Sequence, residues 1–72
     1  MGSPQEALNY YNRAIQVQPK NSDARHLAGW ASYLVKNYAA ALALLRSAVA
    51  IDKANPLIYK RIGIVCRELG DV

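Results

Sequence analysis

Apolar residues along this chain gather into four stretches, separated by short polar breaks that carry proline, glycine or asparagine. The densest runs from Asn37 to Ile51, NYAAALALLRSAVAI, in which twelve of fifteen residues are apolar and six are alanine. In two stretches the apolar residues step by four and then three: Ala7, Tyr11, Ala14, and again Ala41, Leu45, Ala48. That spacing puts three side chains on one face of an α-helix. No stretch keeps a two-residue alternation between turn signals, which argues against strands.

The breaks supply the helix ends. Ser3-Pro4-Gln5-Glu6 reads as a start, with serine as cap, proline at the first helical position and glutamate placed for a capping box. Pro19 closes that helix from beyond its end. Asn21-Ser22-Asp23 is a second start, with acid in the first turn where the helix dipole favours it. Asn37 is the expected cap of a third helix, Asn55-Pro56 starts a fourth, and Gly70 is placed to end it. The pattern therefore predicts four helices over 4–17, 22–35, 38–52 and 56–69. Connections this short make consecutive helices antiparallel neighbours. A membrane span needs about 20 apolar residues. The Asn37–Ile51 stretch is shorter and is interrupted by Arg46-Ser47, so it reads as a core helix and no membrane insertion is expected.

The chain repeats itself with a shift of 34 residues. Ala7 falls on Ala41, Tyr11 on Leu45, Ala14 on Ala48 and Gly29 on Gly63. The fourth helix reads Tyr59-x2-Ile62-Gly63-x2-Cys66, and the second reads Arg25-x2-Ala28-Gly29-x2-Ser32. A two-helix unit of this period, with these residues in register, resembles the tetratricopeptide repeat (TPR) family. The chain departs from the family pattern where Arg25 stands for a large aromatic and Lys53 for the closing proline. The resemblance implies an all-α solenoid of antiparallel helix pairs. Ala7, Tyr11, Ala14, Gly29, Ala41, Leu45, Ala48, Tyr59 and Gly63 are its structural repeat positions. A glycine inside a helix costs about 1 kcal/mol relative to alanine, so Gly29 and Gly63 are expected at close helix crossings. The alternative is an ordinary four-helix bundle.

In TPR register, residues 4–19 are half a repeat, 22–55 a full one and 56–72 another half, and the chain reads as a piece of a longer array. Val72 stands 34 residues after Tyr38, where a further helix would open. Met1-Gly2-Ser3 has the look of a tag or vector remnant. Arrays of this kind usually need about three units and polar end caps, so the first and fourth helices are expected to carry unpartnered apolar faces. Self-association or dependence on flanking chain follows.

Composition narrows the chemistry. A chain of 72 residues holds one small domain, and 53% hydrophobic with 19% charged residues is globular. Cys66 is the sole cysteine and cannot close an internal disulfide, which together with the lack of a signal peptide favours a cytoplasmic setting. With His26 the sole histidine and no metal-ligand spacing among the five acids, neither a catalytic constellation nor a metal or cofactor site is expected. The TPR resemblance puts Cys66 at a position that faces the packed side, so it reads as a structural thiol.

Binding is the function the resemblance implies. Proteins similar to TPRs line a concave groove with the first helix of each repeat, and the groove takes a peptide or helix of a partner. By that register the groove positions are His26, Trp30 and Tyr33 on the second helix and Lys60, Ile64 and Arg67 on the fourth, flanked by Leu27 and Arg61. Trp30 and Tyr33 suit an anchor, since aromatics and arginine dominate interface energetics. Lys60, Arg61 and Arg67 suit an acidic partner. Some TPR proteins clamp a chaperone's C-terminal carboxylate with lysine, asparagine and arginine. Here His26, Trp30 and Leu57 occupy three of those positions and only Arg61 fits. The net charge of +4, spread along the chain, leaves nucleic-acid binding as the alternative, and a purely structural, self-assembling fragment as a third reading.

Overall fold

The computed structural model describes residues 3–70; the remnant reading of Met1-Gly2 and the register of Val72 lie outside the described residues. Four helices follow in order: α1 (Pro4–Val17), α2 (Ser22–Leu34), α3 (Tyr38–Ile51) and α4 (Pro56–Glu68). All four starts agree with the sequence reading, and α2, α3 and α4 each stop one residue earlier than it expects.

The period of 34 is visible in the hydrogen bonds of the turns. Asn21 and Asn55 are equivalent, and both cap a helix: Asn21 Oδ1 accepts from the Ala24 N–H at 3.2 Å and Asn55 Oδ1 from the Leu57 N–H at 3.0 Å. Their amides donate backwards to equivalent residues, Asn21 to Gln18 Oε1 at 3.3 Å and Asn55 to Asp52 Oδ2 at 3.1 Å. Arg25 and Tyr59 are chemically unlike but do one job. Arg25 Nε donates to the Pro19 carbonyl at 2.6 Å, and Tyr59 Oη donates to the equivalent Lys53 carbonyl at 3.0 Å. The missing aromatic at Arg25 is thus replaced by a second donor of similar reach, tying each helix back to the turn before it.

The opposite ends match too. Lys36 has φ 67° and Gly70 has φ 77°, the left-handed residue that closes a helix. After α2 the Lys36 N–H donates to the Tyr33 carbonyl and the Asn37 N–H to the Ser32 carbonyl, both at 2.9 Å, which completes a Schellman motif. Asn37 does occupy the cap position of α3, but its side chain makes no cap hydrogen bond; its backbone is engaged in closing α2. At the start of the chain, Ser3 Oγ accepts from the Glu6 N–H at 3.2 Å, so the serine of the suspected remnant caps α1.

Each helix packs on its neighbours in sequence, α2 also touches α4, and α1 touches neither α3 nor α4. A closed four-helix bundle would bring α1 against α4, so the order of contacts is that of an open solenoid. Ala41, Leu45 and Ala48 of α3 are buried with Ile58 and Val65 of α4 in the main cluster, while Ala24, Ala28 and Ala31 of α2 are buried one period earlier. Gly29 sits at a close crossing of α2 and α3. A Cβ there would lie 2.8 Å from Leu45 Cγ and 3.2 Å from the Ala41 carbonyl oxygen. Gly63 departs from expectation: a Cβ on it would meet nothing within 4 Å, because no helix of the described residues lies against that side of α4.

Candidate functional site: the shared face of α2 and α4

The contact between α2 and α4 is built around one guanidinium. His26, Trp30 and Tyr33 stand four and three residues apart, hence on one side of α2. Trp30 and Tyr33 stack with ring centroids 4.7 Å apart and 17° between planes, and Tyr33 meets Tyr38 of α3 at 5.6 Å. From α4, Arg61 lays its guanidinium carbon 4.3 Å from the Trp30 ring centroid. The same side chain brings Nη1 to 2.9 Å from His26 Nε2. Since arginine only donates, His26 Nε2 accepts, which fixes a neutral ring with its proton on Nδ1. A cation over a half-buried tryptophan contributes about 1 kcal/mol, and the bond to His26 adds to it.

His26 is 6% exposed. Burial holds its pKa below the ordinary value, and the Arg61 charge pushes the same way; Asp23 and Asp52 oppose them. The neutral form that accepts from Arg61 is therefore also the form the surroundings favour.

The expected groove residues divide into two sets. His26, Trp30, Tyr33 and Arg61 come together in this cluster, with Tyr38 as an additional member. Lys60 and Arg67 are exposed and Ile64 is half-buried, and none of the three bonds to the cluster. His26 itself does not line an open surface: it is buried, and its acceptor is taken. Tyr38 was legible only as the aromatic that opens α3; its place beside Tyr33 depends on the turn between them. Hollows elsewhere lie along α1 and its following turn, one of about 550 Å³ lined by Gln18, Pro19, Lys20 and Asn21 and one of about 360 Å³ lined by Tyr10, Arg13, Ala14, Val17 and Gln18. Among the described residues no three His, Cys, Asp or Glu side chains gather as a metal ion would require, and no helix is long and apolar enough to cross a membrane.

The family model described as tetratricopeptide repeat matches residues 1–60. The chain belongs to the tetratricopeptide repeat family. No curated protein and no solved structure matches it significantly. TPR units generally mediate protein–protein interaction and are typically non-catalytic scaffolds. The guanidinium of Arg61, the one residue expected to fit a carboxylate clamp, is shared between Trp30 and His26.

Proposed function

We propose that the α2/α4 face binds an acidic segment of a partner protein. The observation that carries this reading is the ordered stack of Tyr33, Trp30 and Arg61, flanked by the exposed cations Lys60 and Arg67. Arg61 already lies over the indole, so the anchor does not have to be assembled when the partner arrives, and less side-chain entropy is lost on binding. Lys60 and Arg67 remain open to carboxylates, and Ile64 gives a partial apolar floor between them.

Fluorescence anisotropy against panels of acidic, neutral and basic peptides tests the reading, with a duplex DNA and a single-stranded RNA as further arms. Acidic peptides should bind best, with affinity reduced at least tenfold in Trp30→Ala and in Arg67→Ala. Binding confined to the nucleic acids, with the steep salt dependence of phosphate contacts, would reject it in favour of a basic nucleic-acid surface. Equal affinity of wild type and both variants for the peptides would reject the site.

A further inference from the structure

The described helices leave two faces uncovered, and the repeat register makes them the two halves of one joint. On α4 the exposed side shows position by position against α2. Gly29 and Ser32 of α2 are buried, whereas their equivalents Gly63 and Cys66 are exposed and half-buried. Tyr59 and Leu69 extend the same side as exposed apolar groups. On α1, Ala7, Tyr11 and Ala14 are half-buried, whereas Ala41, Leu45 and Ala48 of α3 are completely covered. Tyr10 is 70% exposed where its equivalent Leu44 is half-buried, and Tyr10, Arg13, Ala14 and Val17 line the hollow of about 360 Å³.

The occupied joint within the chain shows what fits. Over Gly29 lie Leu45 and the Ala41 carbonyl of the following helix. One period away, Gly63 presents the same gap, and the residues equivalent to Leu45 and Ala41 are Tyr11 and Ala7. We propose that α4 of one chain receives α1 of a second copy, with Tyr11 over Gly63 and Ala7 beside it, continuing the α2–α3 packing from chain to chain. The joint buries unlike faces of the two partners, so each dimer still carries one free α1 face and one free α4 face. Such a heterologous contact adds chains in a row instead of closing as a pair. The inference is independent of the peptide-binding reading, because neither face includes the Trp30 stack.

Two substitutions block one half each without touching a packed position. Gly63→Leu fills open space on α4 and replaces a poor helix former by a good one. Tyr10→Lys puts a charge on the exposed side of α1. Sedimentation velocity over about 1 μM to 1 mM, a range that spans moderate to weak dissociation constants, reads the outcome. Circular dichroism confirms that each variant remains helical. For the wild type, the weight-average mass should rise with concentration past twice that of one chain. Each variant alone should stay at the monomer mass. An equimolar mixture should reach twice the monomer mass and stop, because α1 of the Gly63→Leu chain still fits α4 of the Tyr10→Lys chain. In that mixture Cys66 of the Tyr10→Lys chain should lose reactivity toward a thiol reagent, while Cys66 of the Gly63→Leu chain keeps it. A monomeric wild type overturns the proposal. So does association of either variant alone, or a mixture that remains monomeric.

Discussion

Gly29 and Gly63 occupy the same repeat position, yet the structure assigns them opposite responses to one added methyl group. At Gly63 alanine meets nothing, so only the helix preference acts, and Gly63→Ala should stabilise the isolated chain by about 0.5–1 kcal/mol. At Gly29 the same preference is opposed by contact. The new Cβ would sit 2.8 Å from Leu45 Cγ, in the middle of a fully buried side chain, and 3.2 Å from a backbone oxygen of α3. Neither neighbour is a free chain end, so α2 and α3 must move apart. Overpacking of this kind costs about 1–3 kcal/mol, which leaves Gly29→Ala net destabilising by up to about 2 kcal/mol once the helix preference is deducted. In a domain this small about 1 kcal/mol moves Tm by about 4–8 °C, so the two variants should melt on opposite sides of the wild type. Thermal and urea unfolding followed by circular dichroism, at a concentration where sedimentation finds each chain monomeric, makes the comparison. If Gly29→Ala gains stability as Gly63→Ala does, the close crossing of α2 and α3 is refuted.

Other consequences are open to the same assays. Lys36→Gly should gain about 1 kcal/mol in urea unfolding, because Lys36 holds the left-handed φ of 67° that its equivalent Gly70 adopts freely; an unchanged midpoint would contradict the strained cap. Asn21→Ala should lose about 1 kcal/mol with its capping bond, whereas Asn37→Ala, whose side chain makes no cap bond, should be close to neutral. The folded chain holds the pKa of His26 below 6.5, so the unfolded chain takes up its proton first as pH falls. The His26 contribution to stability is therefore complete above about 6.5 and is lost as pH drops from there through the lowered value. His26→Gln, which keeps an acceptor for Arg61, should show a smaller loss of stability between pH 7.5 and 5, and an identical loss would exclude His26 as its source. Arg61→Ala should raise the His26 pKa in an NMR titration, by removing both a neighbouring positive charge and part of the cover.

Helix order and the period were legible in the sequence because they rest on local chemistry. Asn21 and Asn55 begin helices by accepting from backbone N–H groups a few residues on, and Pro4 and Pro56 sit where a missing N–H costs nothing. Positions that depend on a neighbouring helix were not legible to the same degree. Gly63 repeats Gly29 in sequence, but its packing depends on a surface that the described helices do not supply. His26 lies in the stripe of Trp30 and Tyr33 and reads as a surface ligand, until Arg61 crosses from α4 and covers it. The stretch from Asn37 to Ile51 is rich in apolar residues beyond what its packed face requires; Ala39, Ala43 and Ala50 are exposed, and their small size keeps the outer side of α3 flat. Arg25 was legible as a break in the family pattern, but its bond to the Pro19 carbonyl, the counterpart of the Tyr59 bond, emerges only in three dimensions.

Trp30 is the single tryptophan, so its indole N–H gives one resolved NMR signal at the centre of the α2/α4 face. Titrating the 15N-labelled chain with the tightest-binding acidic peptide tests the proposed site most directly. The Trp30 indole and the amides around Ile64 and Arg67 should shift together and saturate with one dissociation constant, while Ala39, Ala43 and Arg46 on the outer side of α3 stay still. Saturable binding that moves the α3 residues and leaves the Trp30 indole unchanged would contradict it.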